Sequence, residues 1–81
     1  MKFSYVYILK SQAAMDHFYV GLTDNLQERL KKHNAGEVTP TSKFRPWHIK
    51  TAIAFTDSQQ ANRFERYLKT ASGRAFAKKR L

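Results

Sequence analysis

The sequence contains no cysteine, which excludes disulfide scaffolds, thiolate metal sites and cysteine nucleophiles. No apolar run approaches the ~20 residues that cross a bilayer, so we expect no membrane partner. The N-terminal stretch is strand-like and lacks a small-residue cleavage site, so we expect no signal peptide. Acidic residues are also scarce: six stand against 15 basic ones, giving a net charge of +9. We therefore expect a cytoplasmic protein with a polyanionic partner.

The length of 81 residues predicts a single domain, which we place at 1–81. A hydrophobic share of 42% with 14% aromatic residues supplies a core and argues against disorder. The charge is concentrated at residues 63–81, where seven basic residues and one acidic residue give a net charge of +6. Such a block binds nucleic-acid phosphates by releasing counterions. A membrane surface, an acidic protein or a solvated tail would also account for it.

Two short runs predict an antiparallel β-hairpin. Residues 4–9 and 17–22 are rich in β-branched and aromatic side chains, and the connection between them is short. Side chains alternate between the two faces of a strand, so Tyr19 and Gly21 share one face of the second strand. Tyr5, Tyr7 and Leu9 share one face of the first strand.

The first helix is predicted to begin after Asp24, which is followed by Gln27 in a capping-box pattern, and to end near Gly36. At ~100° per residue, Arg29 and His33 fall on the same inward stripe as two leucines. Charged side chains usually lie on the outer face of such a helix. Both residues are therefore candidates for a functional site.

The second half of the chain predicts a loop over 36–46 and a third strand over 47–55. A second helix begins after Asp57, and Gly73 separates it from a short basic helix over 74–81. The order β-β-α-β-α-(α) predicts an α+β fold, with helices flanking a three-stranded antiparallel sheet.

Five residues on these elements carry the groups that phosphodiester hydrolysis requires: Tyr7, Tyr19, Arg29, His33 and Glu65. They offer a cation for transition-state charge, a carboxylate for a hard metal, and hydroxyl and imidazole groups for proton transfer. Each has a structural alternative. Tyrosines on strands are often core, Arg29 could extend along the helix surface, and His33 could be a buried, satisfied histidine. Glu65 could simply pair with Lys69 at i+4.

The tripeptides Tyr5-Val6-Tyr7 and Tyr19-Val20-Gly21 are separated by eleven residues, and this pair resembles the motifs of the GIY-YIG nuclease superfamily. Arg29 stands eight residues after Gly21, where that family has a helical arginine, and His33 follows one turn later. Glu65 matches the family's metal-binding glutamate. The resemblance covers essentially the whole chain and points to the small bacterial stand-alone proteins made of this domain alone.

Two positions depart from the family pattern. Tyr5 replaces the first glycine of the motif, and Leu22 stands where some repair nucleases of the superfamily carry a lysine. The family's late asparagine has no clear counterpart, since Asn34 and Asn62 are the nearest residues of that type.

The resemblance implies Mg²⁺-dependent hydrolysis of DNA, with Mn²⁺ as a second usable ion, Glu65 as the metal ligand and no small-molecule cofactor. Arg29 would stabilise charge on the phosphate. Either Tyr7 or Tyr19 would orient or activate the attacking water, with His33 as the proton acceptor. The resemblance also places Gly21 where the backbone approaches the substrate.

Phosphate contacts are expected from six basic residues: Lys43, Arg45, Lys69, Arg74, Lys78 and Lys79. Phe44 or Trp47 could stack on an unpaired base if exposed, although the pattern favours Trp47 as a core residue. The implied activity is a structure-selective or nonspecific endonuclease of DNA repair or recombination. The alternatives are a non-catalytic nucleic-acid-binding module of the same fold and a subunit whose protein partner supplies specificity.

Overall fold

Three strands and three α-helices make up the computed structural model, which describes residues 2–81. The elements are β1 (Ser4–Ser11), β2 (Phe18–Thr23), α1 (Leu26–Asn34), a 3₁₀ helix (Thr39–Phe44), β3 (Trp47–Phe55), α2 (Ser58–Leu68) and α3 (Ala71–Arg80). The strands form one antiparallel sheet in the order β2-β1-β3. The predicted α+β fold is confirmed. No helix within residues 2–81 is long and apolar enough to span a membrane.

The central strand β1 is buried on both of its faces. Val6 and Ile8 pack against α2 and α3, whereas Tyr7 and Leu9 pack with Trp47 and α1 on the opposite face. Because side chains alternate between the two faces of a strand, β1 contributes residues to two separate apolar clusters. The sheet is the middle layer, with α1 and the 3₁₀ helix on one side and α2 and α3 on the other.

The hairpin register places the motif residues on one face. Tyr7 faces Gly21 and Leu9 faces Tyr19 across β1 and β2. Directly opposite residues in an antiparallel pair project from the same side of the sheet. Both tyrosines therefore lie on the side of α1, which brings the candidate residues of the hairpin and of α1 together.

The predicted N-cap of α1 is wrong by one residue. Asn25, and not Asp24, caps the helix: its side chain accepts a hydrogen bond from the Glu28 N–H at 3.1 Å and donates one to the Glu28 carboxylate at 3.4 Å. Asn25 and Glu28 thus take the places expected for Asp24 and Gln27. The predicted end is confirmed, since Gly36 has a φ of 79° just after α1.

The predicted role of Gly73 is also wrong. Gly73 lies inside α3 instead of preceding it, and Thr70 caps the helix by accepting a hydrogen bond from the Gly73 N–H at 3.1 Å. A β-carbon at position 73 would overlap the backbone carbonyl of Tyr67 in α2. This glycine therefore permits the close corner between two helices and does not separate them.

Candidate active site

A buried hydrogen bond joins the first strand to the first helix. The Tyr7 Oη lies 2.9 Å from the His33 Nε2, and the His33 Nδ1 lies 2.8 Å from the Thr41 Oγ1. The Thr41 hydroxyl donates to the Val38 carbonyl at 3.1 Å, so its oxygen accepts from the Nδ1–H of His33. This assigns the tautomer: Nε2 carries no proton and accepts the O–H of Tyr7.

The two partners of this hydrogen bond are both neutral at neutral pH. Burial, and secondly the charge of Arg29, lower the pKa of His33 from 6.5 to about 4. Burial raises the pKa of Tyr7 above 10, although the hydrogen bond and charge of Arg29 act in the opposite direction. Proton transfer from Tyr7 to His33 is therefore uphill in the free protein. An anion that neutralises Arg29 would remove one of the two causes of the low His33 pKa.

Arg29 connects the tyrosine to an open cleft. Its Nε donates to the Tyr7 Oη at 3.4 Å, and its half-buried side chain lines a cleft of about 310 Å³ together with Leu22. Arg29 does not simply extend along the helix surface. One part of the guanidinium contacts the phenol while the side chain borders the cleft. The other charged residues that line this cleft are Asp24, Glu28 and Lys32.

Gly21 determines where the Tyr7 ring lies. A β-carbon at position 21 would overlap the phenol of Tyr7, so the ring lies across β2, which is an edge strand. The second motif tyrosine, Tyr19, packs edge-on against the His33 ring, with 5.0 Å between ring centroids. The structure thus gives Gly21 a role toward Tyr7, whereas sequence reasoning related it to the substrate.

Glu65 approaches the same region from α2, in the other layer. Its side chain is 14% exposed and forms an ion pair with Lys69, with 2.5 Å between the Nζ and the carboxylate. Burial is the main cause of the raised pKa of Tyr7, and the charge of Glu65 acts in the same direction as a smaller cause. The i+4 pairing considered as the structural alternative is thus present. Among residues 2–81 no three His, Asp or Glu side chains form a cluster that could hold a metal by themselves.

A comparison with family models identifies the family of this chain. The model of the GIY-YIG catalytic domain matches residues 3–80, a range that contains all five candidate residues. The chain belongs to the GIY-YIG family. No curated protein and no solved structure gives a significant match. Membership indicates a nuclease-type function with a nucleic-acid substrate.

Five of the six basic residues predicted to bind phosphate in this GIY-YIG domain fall into two groups. Three of them line a groove beside α2 and α3, namely Lys69, Arg74 and Lys78. Lys43 and Arg45 lie at the end of the 3₁₀ helix, on the α1 side of the sheet, where the Arg45 Nε donates to a backbone carbonyl at 2.9 Å. Lys79 is exposed on α3 and does not line the groove.

Neither of the two residues predicted as possible base-stacking aromatics, Phe44 and Trp47, is open to a base. Trp47 is 4% exposed, which confirms its assignment to the core, and its Nε1 donates to the Thr41 carbonyl at 2.9 Å. Phe44 is half-buried and stacks on His17, with 4.0 Å between ring centroids. Four other aromatic side chains are exposed, and the most exposed of them is Phe18 at 51%, which sequence reasoning overlooked; the others are Phe3, Tyr67 and Phe76.

Sequence reasoning assigned no positioning role to two further residues. Thr41 fixes the tautomer of His33, but it lies in a proline-containing segment whose sequence shows no periodic pattern. Asn34 clamps the backbone of Trp47, accepting from its N–H at 2.7 Å and donating to its carbonyl at 3.1 Å. Asn62 accepts from Arg66 on the surface of α2. Both asparagines thus have structural partners of their own.

Proposed function

We propose that this GIY-YIG domain is a metal-dependent DNA endonuclease. The observation that carries the proposal is the hydrogen-bond chain from Arg29 through Tyr7 to His33, with the charge of Glu65 acting on the same phenol. These three hydrogen-bonded side chains provide a cation for phosphate oxygens, a hydroxyl that can orient water, and an imidazole nitrogen that can accept a proton.

Glu65 is the residue that would hold the metal. A single shielded carboxylate suits Mg²⁺, which keeps several of its waters and takes further ligands from substrate phosphates. Mn²⁺ accepts the same oxygen ligands. The Lys69 ammonium now neutralises this carboxylate and has to be displaced. A bound ion would supply Lewis-acid stabilisation of the charge that develops on the phosphate.

Tyr7, in preference to Tyr19, is assigned to the attacking water. Its proton is directed to His33 and its oxygen already accepts from the Arg29 Nε, so one lone pair of the phenol oxygen would accept a hydrogen bond from the attacking water. Arg29 would bind phosphate oxygens through its planar fork, a role worth about 10²–10³ in rate for one oxyanion donor. Phosphate binding would also partly neutralise Arg29, which raises the pKa of His33 and makes proton acceptance easier.

The non-catalytic binding module is the second candidate. Two observations favour it: Lys69 neutralises Glu65, and His33 is a weak base in the free protein. Structure selectivity, a protein partner that supplies specificity, a role in DNA repair or recombination, and a cytoplasmic location remain predictions from the sequence.

A cleavage assay separates the two candidates. The protein is incubated with branched, nicked, single-stranded and duplex DNA in Mg²⁺, in Mn²⁺ or in chelator. We expect metal-dependent cleavage that Glu65→Gln abolishes while DNA binding, followed by fluorescence anisotropy, persists. Glu37→Gln, which changes an exposed glutamate, is the matched control and should cleave normally. Salt-sensitive binding without cleavage of any substrate would favour the binding module, and undiminished cleavage by Glu65→Gln would remove Glu65 from the site.

A further inference from the structure

A groove of about 840 Å³ lies between the sheet and helices α2 and α3. Its apolar lining comes from Ile8, Val20, Leu68 and Ala77, together with Phe18. Its volume falls in the range of about 300–1,000 Å³ that small-molecule sites usually have. Tyr7, Arg29 and His33 do not line it, so the groove is a separate feature from the hydrogen-bond chain.

Phe18 offers an open aromatic surface at the mouth of this groove. It lies at the start of the edge strand β2 and is 51% exposed. The ammonium groups of Lys50 and Lys10 lie 5.7 Å and 6.0 Å from its ring centroid. An exposed ring flanked by cations is the combination with which proteins stack single-stranded bases and hold the adjoining phosphates.

A β-bulge in β3 determines the position of Lys50 relative to the Phe18 ring. In the pairing of β1 with β3, Ile8 faces Thr51 and Leu9 faces Ile49, which leaves Lys50 as an extra residue in β3. Bulges redirect side chains relative to a regular ladder. The irregularity thus puts a lysine over Phe18 at the point where the groove opens.

The rim of the groove is strongly basic. Four cationic side chains line it, namely Lys50, Lys69, Arg74 and Lys78, against one acidic side chain, Asp16. An apolar floor with a cationic rim complements a ligand that has a flat apolar part and negative charges at its sides. A nucleotide has this composition: the base matches the floor and the phosphates match the rim.

The groove adjoins the candidate active site through two shared residues. Tyr19 lines the groove, while its side chain packs against the His33 ring on the α1 side of the sheet. Lys69 lines the groove while its ammonium pairs with Glu65. A DNA strand with its reacting phosphate between Arg29 and Glu65 would therefore have a neighbouring nucleotide next to the groove.

We propose that the groove binds an unpaired nucleobase, stacked on Phe18, with its flanking phosphates on the basic rim. The inference rests on the proposed function and narrows its substrate class to DNA with a single-stranded or unpaired segment. A base within a duplex is already stacked and paired, so it cannot reach Phe18 without an unfavourable extrusion from the helix.

Binding to fluorescein-labelled oligo(dT) and to a duplex of equal length, measured by anisotropy in chelator, tests the proposal without cleavage. We expect Phe18→Ala to weaken oligo(dT) binding by about 5- to 150-fold, the range for losing one stacked base. Duplex binding should change less than about twofold. Lys50→Gln should lower the slope of log K against log salt by about 0.7, the value for one phosphate contact on a single strand.

Two more variants separate base stacking from general apolar contact. Phe18→Trp keeps an aromatic face and should bind oligo(dT) as well as the wild type does, whereas Phe18→Leu should bind as weakly as Phe18→Ala. Phe3→Ala, at an exposed aromatic beside Tyr5 near the other end of β1, is the matched control and should have no effect. Wild-type binding by Phe18→Leu, or equal losses on oligo(dT) and duplex, would overturn the proposal. Because cleavage is absent throughout, these outcomes do not depend on whether the domain is catalytic.

Discussion

Lowering the pH from about 7.5 to about 5 should destabilise the protein through His33. The folded state lowers the pKa of His33 from 6.5 to about 4, so between these values the unfolded state binds more protons than the folded state. Stability therefore falls as the pH falls. At about pH 5 the imidazole of His33 is almost fully protonated in the unfolded state and mostly neutral in the folded state. This difference lowers the free energy of unfolding by about 2 kcal/mol relative to its value at about pH 7.5. At about pH 4 the free energy of unfolding is lowered by about 3 kcal/mol.

Urea denaturation followed by tryptophan fluorescence measures this loss. Trp47 is the only tryptophan of the chain and is 4% exposed, so its emission reports unfolding. Above about pH 5 most carboxylates remain ionised, which keeps their titration largely out of the window. His33→Gln removes the titrating ring, and the difference between the wild-type and variant curves isolates its contribution. The variant should lose about 2 kcal/mol less than the wild type over this window.

His17→Gln is the matched control, because it removes an exposed imidazole that stacks on Phe44 and leaves the Tyr7 and Thr41 contacts intact. The free energy of unfolding of this variant should depend on pH as that of the wild type does. The reasoning is refuted if His33→Gln loses as much stability as the wild type between about pH 7.5 and about pH 5. It is refuted equally if His17→Gln alone flattens the curve.

Three further substitutions test individual contacts. Gly21→Ala should destabilise the fold by about 1–3 kcal/mol in urea denaturation and slow cleavage, because the new methyl displaces the Tyr7 ring. Gly73→Ala should destabilise by a similar amount, since its methyl would meet a carbonyl of α2. Lys69→Gln should strengthen Mn²⁺ binding, read from the paramagnetic resonance signal of free Mn²⁺, because no ammonium then competes for Glu65.

Each of these expectations has an opposing result, and two of them have a matched control. Ser72→Ala, at an exposed neighbour of Gly73, should leave the urea midpoint unchanged. A midpoint equal to that of the wild type in either glycine variant would contradict the steric argument. Glu65→Gln should abolish Mn²⁺ binding; weaker Mn²⁺ binding by Lys69→Gln would show that the lysine assists the metal instead of competing with it.

Local patterns were sufficient for most of the fold. The third strand occupies residues 47–55 as predicted, and Asp57 caps α2 by accepting from the N–H groups of Gln59 and Gln60. Alternation and capping involve residues within one turn or one strand, so the sequence contains all of their determinants. The error at α1 arose because Asp24 and Asn25 are adjacent and both can cap, and the local pattern does not distinguish them.

Gly73 shows where local reasoning fails. A glycine after a helical stretch predicts a helix end, yet here it lies within α3 because Tyr67 of the preceding helix comes too close for a β-carbon. The positions of the basic residues in the fold could not be predicted from local patterns either. Lys43 and Lys78 belong to one set in the sequence, but the three layers of the fold separate them to opposite sides of the sheet.

The sequence by itself determined the family, the three strands, and the faces on which Tyr7, Arg29 and His33 lie, because each depends on motif spacing or on periodicity within one element. Only the tertiary structure decided that Tyr7 and not Tyr19 bonds to His33, and that Thr41 fixes the tautomer of His33. Periodicity gives the direction of a side chain within its own strand or helix. The distance between two such side chains depends on strand register and on the packing of layers, which form only when the whole chain folds.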